Sequence, residues 1–586
     1  MDKENYTQYH DCIRTKRIKG NAAIMESHNG TDFASNMLRL AIELRNRNKE
    51  VAIVYTEDSK NRIECVAAKY GLSDCQFIER ESATYFEILA TAKYYFTDVA
   101  FHPLFFKRIG QICVTTWHGT PLKVLGYSFM KDEYVVANQK RGFLLADYLV
   151  MPNEYTWECI RKSYQLDNLF RGKVLFEGYP RNDIFFNSEI RRQDLINELG
   201  LTGKRIIVYM PTWRGKVVAV DNGQTDELQT YLREWDSKLE ENTIVIAKLH
   251  RLNAAQLNFS SFKQIIPFPE EYETYDILNC ADVLVTDYSS VMFDFELTRK
   301  KIVLFCYDKE DYMRNRVCYF NINELPFTIV ENVSNLVEET SNNSCNEYSQ
   351  VINKFNKNDN EFSSKNIVRM ILENDKENNK SEETKSNVLV FCGDLSPGKE
   401  TDSLFFELDK FSMGSNEQIC VSYLNHLFIE KWHRLLQLKQ FNNMPFYMYQ
   451  KSYFHSLLKE QNLSQSLSGE IMRGKVDKVK LRKLDLMYKR EGYRFLYNCR
   501  IKKYIRYAGL DIDSLKFLVV FEGYKVLYVH ETMVAKALAD AIFNFYLLRA
   551  ASYSNEIIFP NENVYTKYKA NISKVKTGAI KIQQLY

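Results

Sequence analysis

Short apolar runs alternate along the first part of the chain with segments of helical periodicity. Ala22-Ala23-Ile24-Met25-Glu26 predicts a strand, and Ser27-His28-Asn29-Gly30 a polar turn. Phe33, Met37, Leu38, Leu40, Ala41 and Leu44 then fall on one face of a helix over 32–46. Further strands are predicted at 51–56, 75–78, 94–96, 112–116, 148–151 and 174–176, with a helix over 84–93. Uninterrupted apolar strands alternating with amphipathic helices predict a parallel sheet covered on both faces. The rhythm pauses near residue 190 and resumes at Arg205-Ile206-Ile207-Val208-Tyr209-Met210, with strands at 244–249, 283–286 and 302–305.

Between Asn332 and Asn387 the pattern turns polar, and 374–385 reads as the clearest linker. The sequence therefore divides into a first α/β lobe (1–190), a second (191–372), a polar linker (373–387) and an accessory domain (388–586) that is α/β or α+β. In two open α/β sheets facing one another, ligands bind in the cleft at the carboxyl ends of the strands. The accessory domain begins with the strand Val388-Leu389-Val390-Phe391. The turn after it, with Gly393, Gly398 and Lys399, resembles a phosphate loop except that Glu400 stands where Ser or Thr is required.

Composition alters this picture in two places. The twelve cysteines show neither paired nor metal-type spacing, and those inside apolar runs, such as Cys306, read as reduced core residues in a cytoplasmic protein. No metal site is read from them. No segment reaches the ~20 apolar residues of a membrane helix. The net charge of +3 hides a split: residues 388–586 carry 29 Lys and Arg against 19 Asp and Glu, leaving 49 against 56 for the rest. Arg473 to Arg506 alone holds 13 basic residues against three acidic ones, interleaved with tyrosines. Such a concentration calls for an anionic partner.

Candidate chemistry sits at strand ends. Strand 112–116 delivers Trp117-His118-Gly119-Thr120-Pro121, and Lys123 then begins a helix or a turn. Strand 244–249 ends at His250, with Lys248 and Arg251 beside it. Strand 283–286 ends at Asp287-Tyr288-Ser289-Ser290, ahead of a helix over 291–298 whose free N–H groups suit a phosphate. Taken singly, each has a plain structural reading: a packed histidine, a solvated arginine or an ordinary helix cap.

Taken in order, the motifs carry more. His118-Gly119-Thr120-Pro121-Leu122-Lys123, Gly178-Tyr179-Pro180-Arg181-Asn182-Asp183, Met210-Pro211-Thr212-Trp213-Arg214, Leu249-His250 and Asp282 to Ser290 resemble the ordered motifs of the CDP-glycerol glycerophosphotransferases, the teichoic-acid polymerases and primases. The resemblance spans about residues 20–330. It implies a GT-B-like pair of Rossmann-type lobes with a cleft between them that moves glycerol phosphate, or a related polyol phosphate, from a CDP-linked donor to a hydroxyl of a teichoic-acid or capsule-type acceptor. It implies His118 as general base and His250 as the second catalytic histidine, with Arg214, Thr286, Asp287, Ser289 and Ser290 around the donor. Gly119, Thr120, Lys123, Arg181 and Asp183 are further candidates.

CDP-glycerol or a similar CDP-polyol is then a substrate, no tightly bound cofactor is implied, and a metal requirement stays open. Two departures stand out: Arg251 follows His250 where the family usually has proline, and Arg299-Lys300-Lys301 lacks the family's lysine-proline step.

The resemblance says little about the region after 385, but the charge of Arg473 to Arg506 suits a lipid-linked or polymeric anionic acceptor or the anionic inner-membrane surface, placing the protein peripherally on the cytoplasmic side; an ordinary solvated helical face is the plain alternative. Nucleic acid needs the same charge, but no recognition motif accompanies it. A nucleotide-sugar glycosyltransferase on the same scaffold and a non-catalytic polymer-binding protein are the alternatives.

Overall fold

The computed structural model describes residues 3–128, 133–167, 169–186, 189–212, 222–249, 257–315, 317–342, 347–374, 387–414, 418–422, 441–443, 458–496 and 501–585. Three parallel sheets carry the architecture. The first contains β1 (Lys19–Glu26), β2 (Glu50–Tyr55), β3 (Gln76–Glu79), β4 (Ala92–Thr97), β5 (Ile112–Thr115), β6 (Tyr148–Val150) and β7 (Lys173–Leu175), ordered β3-β2-β1-β4-β5-β6-β7. Its side chains obey the two-residue period of a strand: Ala23 and Met25 enter one apolar cluster and Ile24 the other. The helix Ser35–Asn46 covers the first face, as the sequence predicts.

The second sheet is built of β8 (Arg205–Met210), β9 (Thr243–Ala247), β10 (Ile265–Pro267), β11 (Val283–Thr286), β12 (Lys301–Phe305) and β13 (Thr328–Val330), ordered β10-β9-β8-β11-β12-β13. Both sheets thus have their topological switch point beside the first strand, the place where doubly wound folds open a crevice. The polar stretch after Asn332 is more structured than its composition suggests. It forms helices Val333–Ser341, Ser349–Phe355 and Ser363–Asn374. The last returns to the first sheet, where Ile367, Val368 and Ile371 are fully buried beside the helix Ser35–Asn46. Three apolar residues on one helical face outweigh a polar average. The polar N-terminus likewise holds a helix, Lys3–Thr15, which packs on the helix Ala83–Thr91. Most of the linker, residues 375–386, lies outside the described residues.

The third sheet decides between the two readings of the accessory domain. Strands β14 (Asn387–Phe391), β15 (Gln418–Ser422), β16 (Phe441–Asn443), β17 (Ile501–Arg506), β18 (Tyr524–Tyr528), β19 (Glu556–Phe559) and β20 (Ala579–Ile582) are ordered β16-β15-β14-β17-β18-β19-β20, all parallel. It is α/β, with the strand order of the first lobe. In the turn that resembles a phosphate loop, Glu400 stands in the first turn of the helix Lys399–Gly414 and accepts from Thr532 Oγ1 of the helix Glu531–Ala539 at 2.6 Å. The position a phosphate loop gives to a hydroxyl is thus held by a carboxylate engaged with the neighbouring helix. One apolar cluster runs from the second face of the first sheet into this lobe, and Phe106 of the first lobe shares a cavity with Leu486, Lys489, Arg490 and Glu522.

Candidate active site

Strand β5 is buried along its whole length and ends at Thr115. Trp117 then takes a left-handed backbone, φ 55°, and its buried ring lies 4.1 Å from that of His118. A bulky residue in this region is strained, and such strain persists where surrounding structure holds it. The turn presents His118 at the cleft with its side chain exposed. His118 Nδ1 lies 3.1 Å from the Asp98 carbonyl oxygen, just beyond β4. A carbonyl can only accept, so Nδ1 carries the proton and Nε2 keeps the lone pair. The open edge does not undo the crowding behind the ring. Burial, then the positive charge of His28, push its pKa down to about 4.

The residues after His118 cross to the second lobe. A Cβ added to Gly119 would stand 2.4 Å from Ser290 Oγ and 3.1 Å from its Cβ, so any side chain here would push Ser290 aside where the lobes meet. Lys123 forms an antiparallel bridge with Cys318 instead of starting a helix or turn, and Val124 N donates to Val317 O at 3.0 Å. Thr120 is buried in the same loop. Opposite stand Ser289 and Ser290, half-buried; Ser290 makes no capping hydrogen bond to the helix Val291–Phe295. Together Trp117 to Lys123, Leu125, Thr212 and Tyr288 to Ser290 line a cleft of about 280 Å³.

Other residues singled out by the sequence hold this geometry. Thr286 Oγ1 donates to Met210 O at 2.6 Å, and the Asp287 carboxylate accepts from Thr212 N at 2.8 Å, so both fix the loop after β8 from beneath. Arg181, buried, joins Asp294 of the second lobe at 2.8 Å and donates to the His118 carbonyl at 3.0 Å. It braces His118 and binds the lobes. Asp183 accepts from Ser364 N at 3.0 Å and anchors the returning helix; burial raises its pKa to about 6. Arg214 and His250 lie outside the described residues.

More ties cross the interface: Ser35 N donates to Glu273 Oε1 at 2.9 Å, and Arg39 Nη2 to Asp276 Oδ1 at 3.0 Å. Sequence reading missed the partners of His118, namely Asp98 and His28. The polar turn Ser27 to Gly30 was their only trace.

A family-wide sequence profile, the CDP-glycerol:poly(glycerophosphate) glycerophosphotransferases, matches residues 9–373. The teichoic acid poly(glycerol phosphate) polymerase of Bacillus spizizenii is 30% identical over 309 residues, covering 50% of this chain and 75% of the relative. The teichoic acid glycerol-phosphate transferase of Staphylococcus aureus is 25% identical over 341 residues, covering 56% and 85%. Against the longer polymerase of Bacillus subtilis, 26% identical, the match spans 55% of this chain and 44% of the relative. In fold, the solved structure of the wall teichoic acid polymerase TagF covers 64% of this chain and 95% of its own, with a TM-score of 0.55 at 23% identity. The profile covers both lobes around the cleft and stops before the third. On these matches the chain belongs to the CDP-glycerol:poly(glycerophosphate) glycerophosphotransferase family and is an enzyme of that class.

Proposed function

We propose that His118 is the general base for transfer of glycerol phosphate from CDP-glycerol to a hydroxyl at the end of a teichoic-acid-type chain. The observation that carries this reading is the bond from His118 Nδ1 to the Asp98 carbonyl, which leaves Nε2 as a base on an exposed side chain facing Ser289 and Ser290. The acceptor hydroxyl lies on the first-lobe side and loses its proton to Nε2 as its oxygen bonds to the donor's β-phosphorus. The bond from that phosphorus to the bridging oxygen breaks, and CMP leaves with the electron pair. No covalent enzyme intermediate is needed, and positioning with electrostatic stabilisation supplies most of the acceleration. Ser289 and Ser290 on the second-lobe wall take the pyrophosphate, and Arg214 and His250 are the cation and the imidazole that the family motifs assign to it.

The third lobe supports a peripheral place at an anionic surface, either membrane or polymer. On its helix Lys478–Leu496, Lys478, Arg482 and Lys483 are exposed, as are Arg473 and Lys475 just before it. Among the described residues no helix is long and apolar enough to cross a membrane. The test of the reaction is CMP release. The full chain with CDP-glycerol and a glycerol-phosphate-terminated acceptor is expected to release CMP in step with acceptor elongation. Turnover of UDP-sugars with indifference to CDP-glycerol would overturn it.

A further inference from the structure

His28 stands beside His118 and has no part in the reaction as derived above. It follows β1 in a turn where three consecutive residues, His28, Asn29 and Gly30, have positive φ of 45°, 57° and 80°. Two non-glycine residues in succession there are uncommon, and the turn is held from one side by Asp98. The Asp98 carboxylate is buried. It accepts from Ser27 Oγ at 2.7 Å and from His28 N at 2.8 Å, and its Oδ2 lies 3.1 Å from His28 Nδ1. A buried carboxylate against one ring nitrogen favours the doubly protonated ring. The side chain nevertheless stays 46% exposed, and among the described residues its Nε2 has no protein partner. Its ring centre is 6.2 Å from that of His118. The nearby charges are already engaged: Asp32 with Arg62, and Arg181 with Asp294.

We propose that His28, clamped by Asp98, is a phosphate-binding cation on the acceptor side of the cleft, which seats the last phosphodiester of the chain while His118 meets its terminal hydroxyl. This rests on the reading of His118 as the acceptor's base. In a glycerol phosphate chain that phosphodiester lies one glycerol unit from the free hydroxyl, a span comparable to the 6.2 Å between the rings. Asp98 would then serve both groups, orienting His118 through its carbonyl and charging His28 through its carboxylate. The pKa of His28, raised to about 9 chiefly by Asp98, fits this role at neutral pH.

The test compares the full chain with His28→Asn, a residue that tolerates the left-handed turn. KM for a glycerol-phosphate oligomer is expected to rise about tenfold or more, the loss of one charge-assisted hydrogen bond. KM for CDP-glycerol and KM for a glycerol-ended acceptor lacking that phosphodiester are expected to hold, kcat to change only as far as His118, relieved of a nearby positive charge, becomes more basic, and His28→Arg to recover part of the loss. A rise in donor KM instead, a fall in kcat alone, or equal losses with the phosphate-free acceptor would each overturn the assignment. If the unaltered chain turns over no CDP-glycerol, the reaction reading fails by itself. Calorimetric binding of the same oligomer then decides: weaker binding to His28→Asn upholds the site, while equal binding, or none to the unaltered chain, removes it.

Discussion

The first and third lobes share one strand order, yet they treat the end of their fifth strand in opposite ways. In the first, β5 leads to His118, exposed and facing Ser290 across the cleft. In the third, β18 leads to His530, which is fully buried beside the rings of Tyr507 and Tyr528. Burial lowers its pKa to about 3. The switch point above it is closed as well. A Cβ on Gly393 would come within 2.9 Å of Gly509 N, and Arg506, fully buried, donates to Gly509 O at 2.8 Å. The shared topology provides the position, and solvent access with an opposing wall provides the chemistry.

Exchanging alanine for each histidine tests this contrast most severely. His118→Ala is expected to lose about 10²–10⁴ in kcat, the worth of a general base, while CDP-glycerol still binds. Loss of turnover together with donor binding would contradict it, as would an unchanged rate; an isotope-labelled donor filter assay beside CMP release separates the outcomes. His530→Ala should leave kcat on a soluble acceptor intact and lower stability by about 2–4 kcal/mol through the cavity it creates, read by urea denaturation.

Acidification separates the two histidines more gently. A base must be neutral, and with its pKa near 4 His118 stays neutral well below the usual histidine range. The pH profile of kcat/KM should therefore stay level through pH 6 and fall about tenfold per unit only below about pH 4. An acid limb near 6.5 would show that His118 is not the base. His530 acts on stability instead: its proton affinity is lower folded than unfolded, so its contribution is present above about 6.5 and is lost as pH falls toward 3. Third-lobe unfolding should become easier across that interval.

The sheets were legible because parallel strands buried on both faces read as apolar runs, and the His118 motif because its residues are contiguous. The roles of Arg181 and Asp183 were not, since their partners Asp294 and Ser364 lie far along the chain. The same distance hid Asp98 and His28, whose meeting depends on β1 and β4 being neighbours in the sheet. The hydrogen bonds of Thr286 and Asp287 to the β8 loop were likewise hidden, because Met210 and Thr212 lie far from them in the chain. In the third lobe, β14 and β17 pair across a long insertion, so their order could not be read locally.

The ties between the first two lobes have a mechanical consequence. Arg181 and Asp294 are a buried pair, half-buried Arg39 reaches the buried Asp276, and Gly119 already lies against Ser290. Parting the walls would strand Arg181 and Asp294, at about 3–5 kcal/mol for the broken pair. The cleft therefore works as a fixed guide, not as a jaw. Donor and acceptor are then aligned by walls that already stand in place, so transfer needs no closing step of the two lobes.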